Sequence, residues 1–340
     1  MATPTQGAKP TPERIFNTLN AYQQSAALKA AIELDIFTKI AEGANQPKQL
    51  AESTSAAERG IRILCDYLTI LGFLTKEQNR YALTQESAIF LDRKSPACLA
   101  SMAGFLGGDP QRKRFDLLTE AVRKGGSVAG RGDNTNPDDE MWVEFAKSMA
   151  SLTTPSANFI AQMIGSSQPC RVLDIAAGHG MSGITVAKHN PNARVVALDW
   201  PAVLEVAKTN ARGADLDERF GTIEGSAFTA DLGQNYDYVL LTNILHHFDP
   251  ATCETLLKRV FEALGPAGKT ITLEFVPNED RIAPPTSAAF SLVMLANTDA
   301  GDAYTFSEFE RMFQNTGFAK TTLHAVPDMP QQVLVSEKQI

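Results

Sequence analysis

Two short stretches hold most of the residues that could do chemistry. In the first, Val172-Leu-Asp174-Ile-Ala-Ala-Gly178-His-Gly180-Met-Ser-Gly183, an apolar run ends in an acid and passes into a glycine-rich turn. In the second, Asn243-Ile-Leu-His246-His247-Phe248-Asp249, two imidazoles follow a later apolar run. Gly178 to Gly183 matches GxGxxG, a pattern of dinucleotide sites. The acid at 174 argues for a different ligand. A pyrophosphate needs bare backbone N–H groups and a helix N-terminus, and a carboxylate beside it would repel it. The same carboxylate suits the cationic amino group of a methionyl moiety. Asp199 ends the next apolar run and can accept hydrogen bonds from two ribose hydroxyls in either case. Together these residues favour S-adenosylmethionine over a nicotinamide or flavin. The plain alternative for both acids is the capping of loop N–H groups.

These residues need a scaffold that brings strand ends together. Apolar runs at 171–175, 194–199, 221–224, 236–242 and 270–276 alternate with helical stretches. That alternation predicts a parallel sheet with helices on both faces. Residues 322–324 and 332–335 are candidates for two more strands. Ligands of open α/β sheets bind at the carboxyl ends of the strands, where Asp174, Asp199 and the His pair fall. The region before residue 169 reads differently. After a tail over residues 1–11, Pro12 suits a first helical turn. Leu19, Tyr22, Ala26, Leu28 and Ile32 recur at helical spacing, as do Ile61, Leu64, Cys65, Leu68 and Leu71. Ser55 with Glu58 reads as a capping box. A polar turn at 76–80 between short apolar runs reads as a hairpin, which completes a winged-helix pattern. Residues 129–139, rich in Gly, Asn, Asp and Pro, read as a long loop.

The 340 residues suggest two domains, and the 44% hydrophobic and 21% charged fractions are those of an ordinary globular chain. The formal charge of −8 makes general phosphate-backbone binding a poor fit. Residues 1–100 are near neutral at +1, so the acidic excess lies in the remainder. Four scattered cysteines without a CxxC pair argue against a zinc ribbon or a disulfide scaffold and point to the cytoplasm. No stretch reads as a signal peptide or a membrane span.

From about residue 12 onward the chain resembles the plant caffeic-acid type of S-adenosylmethionine-dependent O-methyltransferases and their bacterial relatives. Asp174-Ile-Ala-Ala-Gly178-His-Gly180, Asp199-Trp200-Pro201, Glu224-Gly-Ser226-Ala227-Phe228, His246-His247-Phe248, Gly268-Lys269 and Glu274 follow the family's motifs in order. The resemblance implies a winged-helix-like dimerisation domain over residues 12–95 and a helical linker and pocket segment over 96–168. A Rossmann-like methyltransferase domain over 169–340 would be built on a mainly parallel seven-stranded sheet. It implies a cofactor site at Asp174, Gly178, Gly180, Asp199, Trp200, Ser226, Ala227, Phe228, Asn243 and Phe248, without a metal. His246 would act as base, Glu274 would orient its ring, and His247 is the alternative base. Departures are visible too. Ala176 and Ala177 replace loop glycines, Ser226 replaces an acid, and the position of a second catalytic Glu falls at Ala303, with Asp302 beside it.

A phenol is mostly protonated at neutral pH, whereas a histidine near its ordinary pKa can take that proton as attack proceeds. An acceptor pocket is expected from Phe145, Met149, Leu152, Phe290, Met294 and Asn297, with Met141 and Trp142 contributing. Each of these could equally be core. Aromatic and methionine-rich walls suit a flat apolar acceptor, and nothing charged in this set asks for an acidic one. The resulting expectation is O-methylation of a small aromatic or polyketide-like metabolite by a homodimer that contacts neither nucleic acid nor membrane. C- or N-methylation, or a non-methylating relative, is the alternative within the fold. A DNA-binding regulator fits less well, because Glu58, Arg59, Arg62 and Asp66 balance on the helix that would read DNA. Leu28 and Asp35-Ile-Phe37 are candidates for either the subunit interface or the local core.

Overall fold

The computed structural model describes residues 10–128, 142, 143, 145, 146 and 153–338. The expected tail up to residue 9, the loop at 129–139, and Met141, Met149 and Leu152 lie outside them. The chain divides into two compact units, one up to Gly108 and one from Asp109.

The first unit holds α1 (Glu13–Leu19), α2 (Ala21–Glu33), α3 (Ile36–Ala41), α4 (Pro47–Thr54) and α5 (Glu58–Ile70). A hairpin of β1 (Leu74–Glu77) and β2 (Arg80–Leu83) follows, then α6 (Gln85–Phe90) and α7 (Ser101–Leu106). Its core gathers Ile36, Phe37, Leu50, Ile61, Leu68 and Tyr81. Ile36 and Phe37 are therefore core, and Leu28 packs against them. Helix α1 buries nothing within the chain, and Ile15, Phe16, Leu19 and Tyr22 stand 58–68% exposed. The expected capping box at Ser55 does not form. Ser55 is the left-handed C-cap of α4 (φ 53°), and α5 starts after Ala57. A box forms at the start of α4 instead, where Gln49 Oε1 accepts the Gln46 N–H at 3.2 Å. The turn expected over residues 76–80 shrinks to two residues, because Lys76 and Glu77 pair with Tyr81 and Arg80. On α5, Asp66 takes an ion pair from Arg62 at 3.1 Å and from Lys76 at 2.5 Å, with the Tyr81 hydroxyl at 2.7 Å. Arg62 and Lys76 are thus spoken for.

The second unit opens with α8 (Asp109–Asp116), α9 (Leu118–Lys124) and α10 (Thr154–Ile164). Next come β3 (Cys170–Ile175), α11 (Met181–His189), β4 (Ala193–Asp199), α12 (Pro201–Gly213), β5 (Phe220–Glu224) and β6 (Tyr236–Thr242). A 3₁₀ turn (Leu245–His247), α13 (Pro250–Ala263), β7 (Leu264–Glu274), α14 (Pro285–Asn297), α15 (Phe306–Asn315), β8 (Phe318–Ala325) and β9 (Gln332–Lys338) complete it. The seven strands lie in the order β5-β4-β3-β6-β7-β9-β8. The first five are parallel, and β9 runs antiparallel to both neighbours. One core lies on each face of the sheet. Leu173, Leu241, Leu256 and Phe309 belong to one, and Val172, Val195, Leu204 and Leu240 to the other. Strands buried on both faces read as unbroken apolar runs, which is why the sequence reveals them. The strand order reverses between β3 and β6, so the carboxyl ends of these two strands open the crevice that parallel sheets use for ligands.

Candidate active site

Asp174 lies one residue before the end of β3, Asp199 and Glu224 end β4 and β5, Asn243 follows β6, and Glu274 ends β7. The sheet thus sets four of the expected residues along one edge. Asp174 is fully buried, and its Oδ2 accepts the Gly183 N–H at 3.0 Å. Asp199 Oδ2 accepts the Gly178 N–H and its Oδ1 the Trp200 N–H, both at 2.7 Å. Both acids therefore perform the capping role. Neither is used up by it. Asp174 Oδ1 and Asn243 Oδ1 are buried without a partner among the described residues, and each Asp199 oxygen retains a lone pair. Burial pushes the Asp174 carboxyl up to about 7, against the pull of the Gly183 N–H. Burial also raises Asp199, against the Gly178 and Trp200 N–H groups.

The glycine turn explains its own residues. A Cβ on Gly183 would sit 2.6 Å from Val195 Cγ1 and 3.1 Å from Asp174 Oδ2, so glycine here lets α11 close on β4 and on the acid. Gly178, at φ 57°, faces open space. Ala176 holds φ 54°, a left-handed backbone that costs an alanine about 1–2 kcal/mol. His179 was not foreseen, although it lies inside the GxGxxG match. Its Nδ1 accepts the Met181 N–H at 3.0 Å, which leaves Nε2–H for Thr153 Oγ1 at 3.3 Å. Burial pushes this ring down to about 4. It is a neutral strut between the turn and the start of α10.

A second cluster surrounds the histidine pair. His246, 4% exposed, meets Glu274 through Nδ1···Oε2 at 2.5 Å, and Glu274 Oε1 accepts the Leu245 N–H at 2.8 Å. The carboxylate thereby fixes both the ring and the turn that carries it. With the proton on Nδ1, Nε2 of His246 is left as an acceptor. His247 is held well below the ordinary imidazole range by burial and by His246 beside it, and its Nδ1 has no partner among the described residues. Rings enclose the pair. Phe290 stands edge-on to His246 at 4.9 Å and stacks on Phe275 at 4.0 Å, and Trp142 stands edge-on to His247 at 5.7 Å and to Phe145 at 5.9 Å. Phe248 meets Phe228 at 5.0 Å, beside Ser226 and buried Ala227.

Met294 and Asn297 are buried on the face of α14 that carries Phe290. Asn297 Oδ1 accepts from Arg114 Nη1 at 2.6 Å. The loop after α14 presses on the histidines, since a Cβ on Gly301 would sit 2.2 Å from the His246 carbonyl oxygen. Tyr304, also unforeseen, donates its hydroxyl to the Phe248 carbonyl at 2.5 Å. Ala303 is fully buried, while Asp302 pairs with Arg281 at 3.1 Å. Among the described residues no group of three or more His, Cys, Asp or Glu is placed to hold a metal. No helix among them is long and apolar enough to cross a membrane.

The residues present fit S-adenosylmethionine. Buried, partnerless acceptors at Asp174 and Asn243 call for a donor such as an ammonium group. Open space over Gly178 admits a ligand against the backbone, and Asp199 has acceptor capacity for ribose hydroxyls.

Comparison with known proteins gives the family. Residues 115–319 match the O-methyltransferase domain family, and residues 16–93 match the O-methyltransferase dimerisation domain. A crystal structure from Nostoc punctiforme PCC 73102, of a protein assigned to the O-methyltransferases, is 50% identical with a TM-score of 0.93 and covers 97% of this chain and 100% of its own. The tetracenomycin polyketide synthesis 8-O-methyl transferase TcmO of Streptomyces glaucescens is 27% identical over 93% of this chain and 95% of its own. Human N-acetylserotonin methyltransferase, solved with S-adenosylmethionine, shares the fold at 21% identity and a TM-score of 0.86, over 99% of this chain and 100% of its own. With the domain family spanning well over half of its length, the chain belongs to the S-adenosylmethionine-dependent O-methyltransferases.

Proposed function

We propose that the chain moves a methyl group from S-adenosylmethionine to a hydroxyl on a small aromatic or polyketide-like metabolite, with His246 as general base. The observation that carries this reading is the buried His246–Glu274 pair at the same sheet edge as the open oxygen of Asp174. S-adenosylmethionine, when bound, supplies a methyl carbon already activated by a sulfonium. Asp174 and Asn243 would hold the methionyl end, Asp199 the ribose, and Trp200, Ser226, Ala227, Phe228 and Phe248 the adenine side. Gly178 would leave room for the ligand, and Gly180 lets the turn close on Ala207 and Phe220.

Glu274 then acts as a positioning residue. It holds the proton on His246 Nδ1, so that Nε2 receives the acceptor's hydroxyl proton as the oxygen attacks. General-base help of this kind is worth roughly 10²–10⁴-fold, and alignment adds to it. The low basicity of His247 disfavours it as the base and suits it to the pocket wall. Phe290, Met294, Trp142 and Phe145 supply the flat apolar walls, in keeping with the relative TcmO, an 8-O-methyl transferase of tetracenomycin polyketide synthesis. The cysteine pattern is in keeping with the cytoplasm. The exposed apolar face of α1 and the dimerisation-domain match support a homodimer through the first unit.

The test is His246→Ala. Turnover of phenols, naphthols and polyketide-like aromatics should fall by at least about 100-fold, with S-adenosylhomocysteine affinity unchanged in calorimetry. Methylation near the parent rate would remove His246 as the base.

A further inference from the structure

We propose that Arg114 is a specificity residue that reads a carboxylate on the methyl acceptor. This rests on the acceptor pocket proposed above and changes its character, since that wall contains no charged side chain of its own. Helix α14, Pro285–Asn297, has none anywhere along its length. Its pocket face carries Phe290, Met294 and Asn297, spaced one and two turns apart. Phe290 touches His246 at the near end. Beyond the far end, Gly301 returns to the His246 carbonyl. The helix thus runs past the histidine pair, with Phe290 on His246 and Asn297 at its far end, one residue before the loop that returns there.

Arg114 reaches that wall from α8. Its Nη1 donates to Asn297 Oδ1 at 2.6 Å, and Asn297 Nδ2 donates to the Val293 carbonyl at 2.8 Å, which fixes the amide with its oxygen toward the guanidinium. Arg114 is half-buried, and among the described residues no carboxylate contacts its guanidinium. Asp109 and Asp116 share its helix but lie five and two residues away, off its face. Several other arginines and lysines are neutralised by carboxylates. Arg281 pairs with Asp302 and Glu308, Lys124 with Asp299, and Arg93 with Asp35. Arg219 has its Nη1 saturated by three carbonyls instead. Arg114 uses one of its five donors, on a neutral amide. That leaves the Nε–Nη2 edge, the pair of parallel donors that matches a carboxylate in two-point fashion. A half-enclosed cation without a counter-charge is unfavourable, and an anionic acceptor would relieve it.

The experiment compares 3-hydroxy-2-naphthoate and 3-hydroxy-1-naphthoate with 2-naphthol, which lacks only the carboxylate. Both methyl transfer and equilibrium binding to the S-adenosylhomocysteine-loaded protein are measured. The parent should favour at least one of the acids by roughly tenfold or more in kcat/KM and in Kd. Arg114→Met should reduce that acid-to-neutral ratio at least about tenfold, and Arg114→Lys should reduce it less. A melting curve of each variant checks folding. The proposal is overturned if the parent shows no preference for either acid, if neither acid binds, or if R114M leaves the ratio unchanged. Arg114-dependent binding of an acid without any transfer would support the carboxylate site and sink the hydroxyl-methylation reading, so the two failures are separable.

Discussion

The state of Asp174 should be readable in the pH dependence of cofactor affinity. Its carboxyl titrates at about 7 in the folded protein because it is fully enclosed. Only the ionised form can pair with the methionyl ammonium, which stays charged throughout this range. Below pH 7, binding must therefore expel a proton, at about 1.4 kcal/mol for each unit of pH. At pH 5.5 that amounts to roughly 2 kcal/mol, so S-adenosylhomocysteine should bind about 30-fold more weakly than above pH 8. Asp174→Asn keeps an acceptor oxygen for the Gly183 N–H but removes the charge. It should bind about tenfold or more weakly at pH 8 and show a flat profile. The sign also fixes the behaviour of the cofactor-free protein. A carboxyl raised above its unfolded value near 4 contributes stability at low pH and loses it as pH climbs toward 7. The melting midpoint of the parent relative to the Asn variant should fall across that window. Calorimetric titrations between pH 5.5 and 8.5 decide the matter. A parent profile as flat as that of the variant would refute the assignment of the ammonium to Asp174.

Two further outcomes follow from packing. Gly301→Ala drives a methyl group into the backbone of His246 and His247. It should cost about 1–3 kcal/mol in stability and lower methyl transfer at least about tenfold, as read by thermal melting and initial rates; an unaffected rate would uncouple this loop from the base. Light scattering at micromolar concentration should give twice the chain mass, and Phe16→Glu combined with Leu19→Glu, which charges the exposed face of α1, should return it to a single chain. A parent that scatters as one chain would exclude the dimer.

Much of the sheet was legible because burial on both faces leaves apolar runs that need no partner to be recognised, as at Val195–Leu198. The acids at 174 and 199 were legible because each closes such a run. The start of β7 was not, because Leu264-Gly-Pro-Ala-Gly268 has the composition of a turn, yet the strand already begins at Leu264. The capping box at Ser55 failed because Ser55 takes the left-handed end of α4, a choice made by how α4 and α5 meet rather than by local sequence. The Arg114–Asn297 contact joins residues 183 apart in the chain, and no local pattern announces it. Which of two adjacent histidines takes the carboxylate was implied by the family resemblance, not by local pattern. The fold decides that by placing Glu274 under His246.

The strand-end carboxylates have a consequence for how such a protein can change. Asp174 and Glu274 each commit one oxygen to pinning a turn, Asp199 pins two backbone N–H groups, and Glu274 grips His246 as well. The groups that would face the ligand are the same groups that hold the loops in place. Replacing any one of them disturbs architecture and chemistry together, so this edge is ill suited to stepwise variation. Helix α14 lies under no such double obligation along its Phe290–Met294–Asn297 face. New acceptors can be accommodated there, and at the arginine that meets it, while the transfer machinery stays as it is.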